Sequence, residues 1–326
     1  MSLENTTEDL IQQVRDVTDE DNTTDVQDVF IIRMLNRAQQ SIVHELTKKY
    51  SSHFFVESYY TSSDFINDAQ GRLRVLQLPK QNFSYRIHNV DAKIGNVWYP
   101  VPQSPAIETI GLDFNNQSSL PVAYRIQGDD LYIYPDIQSV SSFRLRYAFR
   151  APKLVATQGR ITGFSTSNNT ITLNSLGSGL TTSVDTLGAF INVIDGQTGR
   201  IKATLQVGGI NTTTKVLTIK TSSLSRTTVF GYTVASSLPS DIALDDYVCL
   251  GSGTCVPFLT MDLTNYHVEL ASFYTKRSLG TVESADFSER ENIMKELSSF
   301  WSGRENTLRI RRGGRISHPF LFFRGS

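Results

Sequence analysis

The chain has 326 residues, 31 Lys and Arg against 32 Asp and Glu, and 39% apolar residues. That length suggests two domains or one with a large insertion, and the modest charged fraction excludes disorder along the whole chain. No apolar run of about 18 residues occurs, which excludes a membrane-spanning helix, and the near-neutral total argues against a dedicated nucleic-acid binder.

The opening MSLENTTEDL is acidic and without an apolar stretch, so it is not expected to be a secretory leader. The first 28 residues are strongly acidic, with Arg15 their one base. Thr7, Asp9 and Leu10 can open a short helix carrying Leu10, Ile11, Val14 and Val17. Thr23-Thr24-Asp25 reads as the start of a longer helix over 28–50, with an apolar stripe of Val29, Ile32, Leu35, Ile42, Val43 and Leu46. Acids in front and Lys48-Lys49 behind suit the helix dipole.

After Tyr50 the period changes to two. Residues 54–60, 73–78 and 84–87 read as strands, and 123–135 as a hairpin whose turn is Gly128-Asp129-Asp130 and whose second strand ends at Pro135. Residues 143–147 alternate again. Residues 157–237 then hold 28 Ser and Thr and only eight charges. Within them Ile161, Gly163, Phe164, Ile171, Thr172 and Leu173 recur 46 residues later as Val207, Gly209, Ile210, Leu217, Thr218 and Ile219. Two related hairpins of this kind, with strands at 189–194 and 200–205 between them, predict a small barrel or sandwich with its own core.

Helix returns after Met261. Asp262 or Thr264 can cap a helix that ends at Gly280, with Tyr266, Leu270, Phe273, Tyr274 and Arg277 on one face. A second helix runs from Ser284 through Phe287, Ile293, Met294, Leu297 and Trp301 to Gly303, forming an antiparallel hairpin with the first. The fold expected is α+β: a helical bundle formed by N- and C-terminal helices, a β-hairpin-rich region, and an inserted small β-barrel or sandwich. Residues 1–156 hold the N-terminal helices and β region, 157–237 the insertion, 238–303 the closing helix pair, and 304–326 an arm.

That arm is the sharpest feature. It carries Arg304, Arg309, Arg311, Arg312, Arg315 and Arg324 against Glu305, then Pro319-Phe320-Leu321-Phe322-Phe323. Arginine forks bind carboxylates and phosphates. A solvated tail, a nucleic-acid contact and docking on an acidic neighbouring subunit all remain open, and the aromatic end favours docking on something outside its own domain.

Catalytic motifs are absent: no Gly-Xaa-Ser-Xaa-Gly elbow, phosphate loop, His-Glu-Xaa-Xaa-His or dinucleotide fingerprint occurs. No enzyme activity, cofactor or metal is therefore expected. His44, His53, His88, His267 and His318 are scattered without ligand spacing. His267 and Glu269 are the nearest thing to an acid–base pair, yet residues two apart on a helix point away from each other. Asp129-Asp130 reads as turn chemistry rather than paired catalytic carboxylates. Cys249 and Cys255 bracket a Gly-containing turn, either as reduced thiols, the favoured reading, or as a local disulfide.

Taken together, the order of parts resembles the head-to-tail adaptor (ring) proteins of short-tailed bacteriophages, including those of crAss-like phages. The resemblance rests on the helix from Asp28 to Tyr50 with its Arg37-Ala38, the hairpin Pro121–Pro135, the strand Phe143–Tyr147 leading to Pro152, Leu238-Pro239, and the helices at 266–280 and 286–304. It implies a non-catalytic virion protein, assembled in the host cytoplasm, that forms a ring of about twelve copies through head-to-tail contacts. The ring would sit between the portal protein and further tail or ring proteins, line the DNA passage without sequence-specific binding, and contact no membrane. Residues 304–326 would be the portal-docking arm, with Arg309, Arg311, Arg312, Arg315, Phe320, Phe322 and Phe323 as its contacts. The competing reading is a virion module whose Ser/Thr-rich β domain binds carbohydrate or a receptor; its aromatics Phe164, Phe190, Phe230 and Tyr232 are expected in the core.

Overall fold

A computed structural model of the chain describes residues 6–18, 26–49, 55–61, 64–67, 74–77, 82–103, 123–128, 130–134, 140–180, 188–222, 228–229, 232–259 and 261–313. Of these, 39% lie in strands and 33% in helices. This corrects the expected α+β fold with a helical bundle at its ends: the chain is mostly β, with three sheets and four α-helices among the described residues, and no N- and C-terminal bundle. Two compact units form, Met1–Thr7 with Ser52–Phe258, and Glu8–Ser51 with Leu259–Ser326.

The first unit opens with two four-stranded sheets. One is ordered β1-β8-β4-β5, from β1 (Phe55–Thr61), β4 (Asn82–Ile94), β5 (Val97–Val101) and β8 (Val140–Phe149). The other is ordered β2-β3-β7-β6, from β2 (Ile66–Asn67), β3 (Arg74–Gln77), β6 (Ala123–Gln127) and β7 (Asp130–Tyr134). Alternation along β8 buries Phe143, Leu145 and Tyr147 and sends Arg144 and Arg146 to the opposite face. The buried side chains meet Leu76, Leu131 and Ile133 of the second sheet, so the two sheets share one core. Gly128, at φ 60, starts the turn between β6 and β7, and Asp130 lies in β7 opposite Gln127. Asp129 lies outside the described residues.

Six further strands close a barrel: β9 (Thr157–Ser165), β10 (Thr170–Leu173), β11 (Phe190–Ile194), β12 (Ile201–Asn211), β13 (Val216–Ile219) and β16 (Tyr247–Leu250). Their order is β11-β16-β9-β10-β13-β12, and β12 pairs back onto β11, antiparallel at every seam. Ile161, Ile171, Leu173, Ile191, Leu205, Val207, Leu217 and Val248 fill it. A short hairpin, β14 (Thr228–Val229) and β15 (Tyr232–Ala235), joins β12 through a parallel pairing. The sixth strand lies beyond residue 237, where the inserted segment was expected to end; an apolar run of four residues carries no periodicity of its own.

The sequence echo is a rotation in space. Ile171 pairs with Leu217, its counterpart 46 residues on, flanked by Thr170↔Thr218 and Thr172↔Val216. The bulge between Thr172 and Leu173 in one hairpin recurs between Val207 and Gly209 in the other. Asn169 at φ 49 and Lys215 at φ 58 hold equivalent left-handed positions. The symmetry extends to the strands outside the echo. Ile161 exchanges bonds with Asp245 and Asp246 as Val207 does with Gly188 and Ala189, and Asn192 pairs with Cys249 on the opposite seam. The barrel is thus two three-stranded elements, β9-β10-β11 and β12-β13-β16, related by a pseudo-two-fold axis.

The second unit is helical: α1 (Thr7–Thr18), α2 (Asp28–Lys49), α3 (Thr264–Leu279) and α4 (Ser284–Gly313). In α2 the buried stripe is Ile31, Leu35, Ala38, Ile42 and Leu46 with Val43, a phase in which Val29 is exposed. The run Phe30-Ile31-Ile32 offers two phases, and the spacing from Ile31 to Leu35 keeps one face. The predicted start at Thr23–Asp25 lies outside the described residues, and α2 begins at Asp28. Its entry is fixed by the buried Arg15, which donates to Val26 O and to Asp28 Oδ1, each at 2.7 Å. Val17, expected inside, is half exposed.

Helix α3 ends as its sequence predicts, at a left-handed Gly280 with φ 78, where the N–H groups of Gly280 and Thr281 bond Arg277 O and Lys276 O. Its N-cap is Leu263, without a side-chain cap bond, rather than Asp262 or Thr264. Helix α4 runs past Gly303 to Gly313. One glycine in a helix costs only about 1 kcal/mol against alanine, too little to stop it. Among its described side chains only Ile293 and Leu297 are buried, too narrow an apolar stripe for the third member of a bundle. No helix among the described residues is long and apolar enough to cross a membrane.

Candidate functional site

The arginines singled out in the sequence divide between helix and undescribed chain. The backbone of Arg309, Arg311 and Arg312 lies in α4, so the first part of the supposed arm continues a helix. Their side chains, and Arg315, Phe320, Phe322 and Phe323 altogether, lie outside the described residues.

Upstream of them, α3 carries two polar arrangements. On one side it meets α2. His267 is fully buried and its Nε2 lies 2.9 Å from the Leu35 carbonyl oxygen. Burial pushes its pKa down to about 4, so the ring is neutral and Nε2–H donates. Arg37 sits 4.4 Å above the Tyr274 ring, and the Ser41 and Tyr274 hydroxyls are 3.0 Å apart. His267 is a structural histidine, turned from Glu269 as helical spacing requires.

On its other side α3 forms a cleft with α4, about 30 Å³ in volume, lined by Glu269, Ser272, Lys276, Asp286, Glu289 and Arg290 among others. Lys276 Nζ and Asp286 Oδ1 are 3.4 Å apart, which engages one charge of each sign. Partial burial raises the Glu269 pKa, and the negative charges of Glu289 and Glu296 raise it further. Arg290 lies 5.7 Å over the Phe273 ring, which also meets Phe287 edge-on at 5.5 Å. Ser272 Oγ and Arg290 Nε are buried and, among the described residues, without a hydrogen-bond partner. Sequence reasoning missed this cleft because its residues come from two helices; Glu289 and Glu296, one heptad apart on α4, were the available signal.

The first unit has two charged clusters. On the outer face of β8, Arg144 donates to Asp91 Oδ2 through Nε at 2.9 Å and Nη2 at 2.7 Å, which raises the Arg144 pKa. Arg146 bonds Glu57 and holds that carboxyl below its usual range. Trp98 covers this face, 5.0 Å from Arg144 and 5.9 Å from the exposed Tyr59. At the barrel, Lys202 Nζ donates to Asp246 at 2.9 Å, Asp195 at 3.0 Å and the Asp241 carbonyl at 2.8 Å. Burial opposes its charge, yet the two carboxylates hold its pKa above the ordinary value. With three acceptors on three N–H bonds, this ammonium is a tie between loops and not a nucleophile.

Cys249 and Cys255 are free, buried thiols. Of the barrel aromatics, Phe164 is 40% exposed instead of lying in the core; it falls near the open end of β9, where facing the axis does not guarantee cover. Phe190 is half-buried, Phe230 lies outside the described residues, and the Tyr232 side chain does too. Among the described residues no group of three or more His, Cys, Asp and Glu is placed to hold a metal ion. No protein-family model matches the chain, and no curated protein matches its sequence.

Proposed function

We propose that the chain is a structural protein of a short-tailed phage virion: a head-to-tail adaptor that joins its own copies in a ring between portal and tail and performs no catalysis. The observation that carries this reading is the meeting of residues 8–51 and 259–326 in one compact unit, whose α4 carries a run of arginines toward its end. That order of parts, helix, long β segment and helix again, is the one the resemblance rests on. The chain's near-neutral charge suits a passage through which DNA slides, because each Lys or Arg set against phosphate would add salt-dependent grip. A closed ring needs two different complementary faces on every copy, and a basic helix end paired with an acidic surface supplies such a pair.

The test is the mass of the native assembly, alone and with a candidate portal protein. The expected outcome is a complex with about twelve copies of the chain per portal ring, lost when Arg309, Arg311 and Arg312 are replaced by Glu. A chain that stays monomeric both alone and with the portal overturns the reading.

A further inference from the structure

The cleft between α3 and α4 has more acid than its own bases balance. Of its lining groups, Glu269, Asp286 and Glu289 face Lys276 and Arg290, and Lys276 is already engaged with Asp286. Glu296 adds to the negative charge felt at Glu269. An acidic cluster alone is only a solvated surface, but this one contains Ser272, 2% exposed, whose hydroxyl has no partner among the described residues. A buried hydroxyl without a partner is destabilising, and a ligand's hydrogen bond would relieve it. Arg290 Nε, also unpartnered, would suit a carboxylate; the surplus of acid decides for a cation.

We propose that this cleft receives a basic side chain from the Arg309–Arg315 segment of a second copy of the chain, its guanidinium set against Glu269 and Glu289 with one N–H donated to Ser272 Oγ. The same chain cannot supply that group from α4. The helix is continuous from Ser284 to Gly313, so at 1.5 Å per residue Arg309 stands about 28 Å along the axis from Arg290, far beyond the reach of a side chain. The half-exposed Phe287 beside the cleft gives such a contact an apolar margin. The proposal rests on the ring reading and names its heterologous contact: the acidic α3–α4 face of one copy against the basic end of α4 of the next.

Sedimentation of the full chain over a range of concentration and salt tests it. Glu269→Gln with Glu289→Gln is expected to weaken self-association about tenfold and to flatten its salt dependence. Glu289→Arg combined with Arg309→Glu and Arg311→Glu is expected to restore it. Ser272→Ala is expected to weaken association while leaving the thermal midpoint unchanged or higher, an outcome a purely structural serine would not give. Association unaltered by the glutamine pair, or abolished by Arg290→Gln alone, overturns the contact while leaving the ring reading intact. A wild-type chain that is monomeric at every concentration removes the ring reading as well.

Discussion

The barrel and the helical unit encode themselves differently. The barrel is specified twice over by a short local pattern: an apolar residue, a glycine at a bulge, a four-residue polar turn, then a second strand, repeated 46 residues later. Its seams are therefore constrained by symmetry, since Ile171 and Leu217 must find each other whichever hairpin forms first. The helical unit has no such redundancy. Beside its buried apolar residues, the seam between α2 and α3 carries single polar contacts from distant segments, His267 against the Leu35 carbonyl and Tyr274 against Arg37 and Ser41. Losing either partner of a buried polar contact leaves the other unsatisfied in the interior.

The largest effect is expected from cutting the barrel where its symmetry is hidden in the sequence. β16 fills the place between β11 and β9 that β11 fills between β12 and β16, and without it two strand edges and the apolar side chains under them are exposed. A fragment spanning 157–250 is expected to unfold in one cooperative transition in urea, and one spanning 157–237 to show none. Cooperative unfolding of the shorter fragment would mean that the two elements close without their sixth strand.

How far these features were legible follows from the same contrast. The echo, the bulge glycines and the turn positions depend on residue type at short spacing, so they could be read directly. β16 could not: Tyr247-Val-Cys-Leu250 has no alternation, and its partners lie far away in sequence. The end of α3 at Gly280 was readable because a left-handed residue there needs glycine, while Gly303 misled because a helix interior accepts one at small cost. The arginines of the candidate site were visible as composition. The acidic cleft was not, because Ser272 and Glu269 look like ordinary helix residues until α4 places Glu289 beside them.

The helical seam predicts a pH dependence of known sign. His267 is held neutral in the fold with its pKa pushed down to about 4, below the 6.5 of the unfolded chain. The unfolded state therefore gains a proton first as pH falls. The stability in question is present above pH 6.5 and is lost progressively between 6.5 and 4, amounting to about 3 kcal/mol at the lower end. His267→Gln keeps an N–H for the Leu35 carbonyl but does not titrate. Urea midpoints of the two proteins should run parallel above pH 7 and diverge below 6.5, the wild type falling faster; parallel curves throughout would show that the histidine titrates in the fold as it does in the unfolded chain.

The smallest effect tests how closely the two barrel elements match. Asn169 and Lys215 occupy the same left-handed place in their turns, but the two residues fit it unequally. Asparagine tolerates positive φ because its short amide can bond locally, whereas a lysine there bears the full clash of Cβ with the following carbonyl. Asn169 Oδ1 does accept one further bond, from the Leu238 N–H at 3.3 Å, a partner that lies outside its own three-stranded element. Lys215 instead donates from Nζ to the Asn174 carbonyl at 2.6 Å, an exposed contact of little net value. Copying the first turn into the second, Lys215→Asn should therefore raise stability by about 0.5 kcal/mol in spite of that lost contact. Thermal unfolding resolves a change of this size, and a loss instead of a gain would show that the Lys215 side chain, not its backbone, sets the energy of the second turn.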